Sequence, residues 1–246
     1  MTRKFMVLDT EANGIVNRDN DVRGNEMRVY DLGFIIADKE GIIYDRASMV
    51  DIARLCQRDT YTNTPTRFVE SAYYAEKLPQ YWEGIKSGEW EPCTFYDMWE
   101  RVRTACKEWD VKTVWAYNAR FDCQALNATI CEQSNGFNRF FMPYGVQWRD
   151  IWAAAGESIL NTKKFVKWAY EKGYTTASGN PQTSAEIVYR YLTSKNDFIE
   201  AHTALNDCEI ELAILLEVMR RKRKKPKVMG NGWRNPAKLA KDMGYK

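Results

Sequence analysis

Residues 27–50, MRVYDLGFIIADKEGIIYDRASMV, restrict the fold more than any other stretch. Two runs rich in β-branched and aromatic side chains, 27–38 and 42–50, flank a short polar link, DKEG. Such side chains fit a pleated surface, and a link of this length closes a hairpin. The chain must therefore build a sheet and then cover it. KFMVLD (4–9), an apolar run ending in an acid, reads as a buried strand, as do KTVWAY (112–117) and VQWRDIW (146–152).

Helices separate and follow the later strands. Thr94 with Asp97 forms a capping box that opens TFYDMWERVRTACKEW. Further helices are expected near 121–133, stopping at SNG, at 162–171, and at 184–194, the last capped by Thr183 with Glu186. The final long helix begins near Thr203 and runs through CEIELAILLEVMRRKRKK, with Ile210, Ala213, Ile214 and Val218 at helical spacing. Strands first, then alternating helices and strands, predict an α/β or α+β domain, and α/β is the class we expect. Its centre would be a mixed five-stranded sheet flanked by α-helices.

Composition narrows the function classes. No apolar run approaches the roughly 18–20 residues a membrane helix needs, so no membrane association is expected. MTRKFMVLDTE reaches acidic residues too early for a signal peptide. The six cysteines form no C-x-x-C pair and the chain has one histidine, which argues against zinc and for reduced thiols in a cytoplasm. RRKRKKPK (220–227) holds seven basic side chains, so the net charge of +3 leaves −4 on the rest. We expect one domain over 1–225 and a basic C-terminal tail over 226–246, offering a contact to a phosphate backbone or to a protein partner.

Three clusters carry chemistry. In VLDTEANG, Asp9 and Glu11 are two apart, so a strand presents both carboxylates on one face. Adjacent carboxylates repel unless a cation joins them, and hard oxygen ligands suit Mg²⁺ or Mn²⁺; an ordinary polar strand end is the competing reading. In VWAYNARFDCQAL, a buried strand ends at Tyr117 and Asp122 follows in the first turn of a helix. There Asp122 reaches a metal or merely caps its helix, while Asn118 is placed to position a ligand. In EAHTALNDCE, His202 and Asp207 are five apart, about 140° around a regular helix. They converge only if His202 lies on the lead-in loop, Thr203 caps, and Asp207 sits on the first turn.

D-x-E on the first strand, N-x-x-F-D after a later strand and H-x-x-x-x-D before the final helix resemble the DEDDh 3′–5′ exonucleases of the ribonuclease H-like superfamily. The likeness spans roughly 4–219 and is motif-deep at the three clusters. It implies a ribonuclease H-like fold in which Asp9, Glu11, Asp122 and Asp207 hold two Mg²⁺ or Mn²⁺ ions, roughly 3.5–4 Å apart. His202 would be the general base that takes a proton from an ion-bound water. The same likeness implies stepwise release of nucleoside 5′-monophosphates from single-stranded 3′ ends, DNA slightly favoured over RNA.

It also places the backbone near Ala12 and Asn13 at the terminal nucleotide and Phe121 beside the site. Two departures bear on substrate preference: Ala12-Asn13-Gly14 stands where threonines are common, and Arg120 where a small residue is usual. Arg120 makes a salt bridge or contacts a phosphate. The alternatives are an oligoribonuclease-like hydrolase of short RNA or nucleotide signals, and a non-catalytic nucleic-acid-binding module. Aromatics between the third and fourth expected strands, Tyr73, Tyr74, Tyr81, Trp82, Trp90, Phe95, Tyr96 and Trp99, stack on bases or pack in the core. Lys163, Lys164 and Lys167 extend a basic surface or are simply solvated.

Overall fold

A computed structural model describes residues 2–13, 28–55, 72–221 and 234–245. The expected hairpin forms from β2 (Arg28–Ala37) and β3 (Ile43–Asp51), and β1 (Phe5–Asn13) pairs antiparallel with β2. β5 (Thr113–Ala116) lies parallel to β1, and β6 (Gln147–Asp150) parallel to β5. The sheet has six strands rather than five, in the order β4-β3-β2-β1-β5-β6. The additional strand, β4 (Glu91–Cys93), is three residues long and pairs parallel with β3 at one edge. A proline-containing tripeptide carries no alternating pattern to read, and an edge is where a strand tolerates a proline that cannot donate.

Helices cover both faces. A four-residue turn, α1 (Ile52–Leu55), follows β3, and α2 (Ala72–Ser87) precedes β4. α2 contains Pro79, which interrupts the helical signal in the sequence. α3 (Phe95–Glu108) opens with the expected Thr94–Asp97 capping box, and α4 (Arg120–Gln133) ends before Asn135 and Gly136, both at positive φ. α5 (Ile151–Ala155) continues from β6 with Asp150 as its N-cap and runs into a π turn at Gly156–Leu160. α6 (Lys163–Glu171), α7 (Ala185–Thr193), α8 (Ala204–Arg220) and α9 (Arg234–Asp242) complete the chain.

Two side-chain assignments differ from expectation. Ser184, not Thr183, caps α7, accepting from the Ile187 amide. Thr183 is engaged elsewhere: its hydroxyl accepts from Trp152 Nε1 at 3.1 Å and its carbonyl from the Tyr117 hydroxyl. On α8, Ile210, Ile214 and Val218 are buried as expected, but Ala213 is exposed and Leu212 and Leu215 take the core positions. Within the expected tail, α9 buries Ala240 and packs on α6, with Tyr245 stacked on Tyr170 at 4.1 Å. Residues 222–227 of the basic run lie outside the described residues. No helix among the described residues is long and apolar enough to cross a membrane.

The period of two along β1 divides the core. Met6 and Leu8 face α3 and α4, together with Phe34 and Ile36 of β2. Phe5 and Val7 face α8 and its neighbours, together with Ile35 and Ala37. Asp9 and Glu11 continue the second set, so both carboxylates point to the α8 side. Gly33 of β2 lies directly opposite Asp9. A Cβ there would stand 2.3 Å from the Leu205 nitrogen and 2.4 Å from the Ala204 carbonyl carbon. The missing side chain is what lets the first turn of α8 lie on the sheet beside Asp9.

Because backbone cannot retreat as a side-chain end can, Gly33→Ala is expected to lose about 1–3 kcal/mol, measured as the shift of a urea unfolding midpoint at constant m-value. A variant as stable as the parent would show that α8 does not depend on this contact.

Candidate active site

The carboxyl ends of β1 and β5 and the N-termini of α4 and α8 meet at one end of the sheet, where open α/β sheets gather ligands. β1 brings Asp9 and Glu11, and α8 brings Asp207 in its first turn. One carboxylate oxygen from each of these three lies within 4.8 Å of the others. Asp122, in the first turn of α4, is 1% exposed and turned toward β1. Its Oδ1 accepts from the Thr10 amide at 3.1 Å and the Thr10 hydroxyl at 2.9 Å. Asp122 does not act as the N-cap of its helix: its Oδ1 binds the neighbouring strand, and Ala119 occupies the N-cap without a side-chain cap bond.

His202 sits on the loop before α8, with Thr203 at the N-cap position, as the five-residue spacing requires. Thr203 caps by backbone conformation only; its hydroxyl accepts from Asn206 Nδ2. His202 has φ +52, left-handed backbone that a non-glycine residue rarely adopts. Lys77 of α2 holds that turn, its Nζ donating to the carbonyls of Ala201 (2.8 Å) and His202. His202 Nδ1 lies 3.7 Å from Glu200 Oε2, and Glu200, His202 and Asp207 form a second group with ligand atoms mutually within 4.8 Å.

Four further residues complete the site without having been read from the sequence. Asp31 pairs with Glu11 across β1 and β2, is fully buried, and accepts from the Tyr81 hydroxyl (2.7 Å) and the Ala204 amide (3.0 Å) through Oδ2. Its signal was a lone acid inside an apolar strand. Glu211, 2% exposed, lies one turn beyond Asp207; its signal was a charge on the buried face of a helix. Glu200 carried a weaker signal, an acid two residues before the only histidine. Lys77 carried none, because α2 was not recognisable.

Of the expected substrate contacts, Asn118 lines a cavity with Asp9 and Asp207, whereas Ala12, Phe121 and Arg120 do not. Asn118 is exposed at φ +62 in the turn between β5 and α4, and Arg120 is exposed at the start of α4. Phe121 and Ala12 are partly buried against the α3–α4 side of the core. Asn13 ends β1; its side chain lies outside the described residues, as do those of Tyr73 and Tyr74. Of the other aromatics, Tyr81, Trp90 and Phe95 are core, while Trp82 and Tyr96 remain exposed. Lys163, Lys164 and Lys167 are solvated, Lys167 within 3.6 Å of Glu171.

Electrostatics set the chemistry of this end. Burial raises the proton affinity of Asp9, reinforced by Asp122 and Glu211, and that of Glu11, reinforced by Asp31. Burial likewise lifts Asp31 to about 6, Asp122 to about 7, Asp207 to about 8 and Glu200 to about 7, with Glu200 adding to Asp207 and Glu186 to Glu200. His202 is lowered by burial and by the Lys77 charge. Two like charges about 4 Å apart cost on the order of 4 kcal/mol at an effective dielectric of 20. Asp207 Oδ1, Asp31 Oδ1 and Glu211 Oε2 are buried without a hydrogen-bond partner. Clustered hard-oxygen donors with orphaned lone pairs fit a divalent cation such as Mg²⁺ or Mn²⁺.

No protein-family model matches the chain, and no curated protein does. Solved structures do. A full-length 3′-exonuclease aligns at a TM-score of 0.57 and 13% identity, over 94% of this chain and 89% of its own. The architecture is one that 3′-exonucleases share. Escherichia coli exonuclease I, in complex with a 5cy-dT13 oligonucleotide, aligns at a TM-score of 0.55 and 13% identity over 90% of this chain. The zinc-bound form of its single-stranded DNA complex gives a TM-score of 0.54 at 14% identity. In both, the match covers 41% of exonuclease I, so the chain spans well under half of that protein. At these identities the likeness is one of fold.

The raised carboxyls predict the pH dependence of stability. Unfolded aspartates ionise near pH 4, whereas folded Asp31, Asp122 and Asp207 hold protons to about 6, 7 and 8. The native state binds more protons over that interval, so their contribution is complete below about pH 4 and is lost as pH rises to about 8. Thermal melts in EDTA should fall by about 5 °C or more between pH 5 and pH 8, where each kcal/mol is worth about 2–4 °C. Millimolar Mn²⁺ should restore most of that loss at pH 8. A melting temperature indifferent to both would contradict the electrostatic account.

Proposed function

We propose that the chain is a metal-dependent 3′–5′ exonuclease of the DEDDh type on a ribonuclease H-like fold. It would release nucleoside 5′-monophosphates from single-stranded 3′ ends. The observation that carries this reading is the convergence of Asp9, Glu11 and Asp207 within 4.8 Å, beside buried Asp122 and the His202 loop. Three motifs distant in sequence supply one site. Single-stranded DNA is the favoured substrate, in keeping with the oligonucleotide complexes of exonuclease I.

Asp9, Glu11, Asp122 and Asp207 would hold Mg²⁺ or Mn²⁺, two ions by the resemblance. Held by these residues, such ions would supply charge compensation for the carboxylates, acidification of a water and stabilisation of the leaving oxygen. The protein's own groups do the rest. His202 stays neutral near pH 7 because burial and Lys77 lower its proton affinity, so its imidazole can accept a proton from water. To the extent that it is ionised, Glu200, whose Oε2 lies 3.7 Å from Nδ1, attracts the imidazolium that forms. Lys77 fixes the loop by its two carbonyl bonds, and Thr10 fixes the Asp122 carboxylate. Asn118, Phe121, Arg120 and the backbone of Ala12 and Asn13 would meet the terminal nucleotide. The basic run at 220–227 would add salt-sensitive affinity for the phosphate backbone, or bind a protein partner.

Purified protein with Mg²⁺ or Mn²⁺ should shorten a 5′-labelled single strand stepwise from its 3′ end, and EDTA or Asp9→Ala should abolish this. His202→Ala should retain Mn²⁺ binding and lose about 10²–10⁴-fold in rate, the usual worth of a positioned acid–base group. Activity surviving both EDTA and Asp9→Ala would refute the metal-dependent reading. An unaltered rate in His202→Ala would remove His202 as the base.

A further inference from the structure

α8 carries a second carboxylate one turn beyond Asp207. Glu211 lies four residues on, and helical geometry puts residues so spaced on one face. Ile210 and Ile214, the core residues on either side of it, show what this stretch of the helix buries by default. An apolar residue at 211 would bury with no polar cost, whereas the glutamate is 2% exposed and its Oε2 has no hydrogen-bond partner. A buried carboxylate with an orphaned oxygen is strongly unfavourable without compensation. Glu211 does not point into apolar packing alone. It lines a cavity of about 300 Å³ together with Asp9, Asn118 and Asp207.

We propose that Glu211 is a further carboxylate ligand for a divalent cation at the cavity it shares with Asp9 and Asp207. The proposal rests on the metal-dependent reading above. Its electrostatic surroundings agree: after burial, the largest influence on Glu211 is the Asp122 charge, and Glu211 in turn acts on Asp9 more than Glu11 or Asp207 does. Glu211 and Asp9 thus share both a cavity and a charge environment that includes Asp122. The three-acid group of Asp9, Glu11 and Asp207 does not include Asp122 or Glu211. A cation on their side would otherwise take protein oxygens from Asp9 and from an Asp122 whose Oδ1 already accepts two bonds from Thr10.

The test is a Mn²⁺ titration, reading free ion by electron paramagnetic resonance and the Mn²⁺-induced rise in melting temperature. The proteins are the wild type, Glu211→Gln, Glu211→Leu and Asp9→Asn. Both Glu211 variants should melt at or above the wild type in EDTA, since a repelling acid is gone. Both should bind Mn²⁺ about tenfold or more weakly in at least one class of site, with a smaller Mn²⁺-induced rise. If Asp9→Asn loses Mn²⁺ while either Glu211 variant binds it as the wild type does, Glu211 is a protonated core acid and the proposal is overturned. If all three variants bind Mn²⁺ as the wild type does, the metal-dependent reading fails and the proposal with it.

Discussion

Desolvation of clustered carboxylates, reinforced by their mutual repulsion, is the constraint around which this end of the molecule is organised. Asp9, Glu11, Asp31, Asp122, Asp207 and Glu211 crowd the carboxyl end of β1, all with raised proton affinity. Left ionised and alone, they would drive the strand, α4 and α8 apart. What holds them is partial: the positive N-termini of α4 and α8, the Thr10 bonds to Asp122, the Tyr81 and Ala204 bonds to Asp31, and the Lys77 ammonium. The remaining imbalance is what the proposed divalent cation would correct. A site that is costly when empty and satisfied when loaded couples cation binding to stability.

The scaffold makes that crowding possible through close approach. Gly33 admits the first turn of α8 onto β2 opposite Asp9, and the period of two along β1 aims Asp9 and Glu11 at the same helix. α2, held through the Tyr81–Trp90 contact at 5.2 Å, delivers Lys77 to the carbonyls of the His202 loop. Geometry thus gives the lone histidine a backbone held by Lys77 and a half-exposed ring beside the acids. The chemistry proposed for it needs both.

Much of this was legible because the signals were local. Hairpin, capping box and D-x-E each depend on a few neighbouring residues, and the five-residue gap from His202 to Asp207 already required a loop, a cap and a first turn. What escaped was decided by tertiary contacts. β4 is a strand only because β3 offers an edge, and α2 is helical despite Pro79 because Leu78, Tyr81 and Ile85 pack in one cluster with Tyr30 and Val50. Thr183 and Ser184 stand side by side as candidate caps, and Trp152 and Tyr117 took Thr183 for other bonds. Asp31 and Glu211 sit where periodicity demands apolar residues, and only the fold brings them to the motif acids.

The most direct test of the central claim is anomalous diffraction from crystals grown in EDTA and soaked in Mn²⁺ with a nucleoside 5′-monophosphate. The account predicts anomalous peaks within coordination distance of Asp9 and Asp207, with the nucleotide phosphate against them. Crystals that bind the nucleotide yet show no anomalous density among these carboxylates would contradict it.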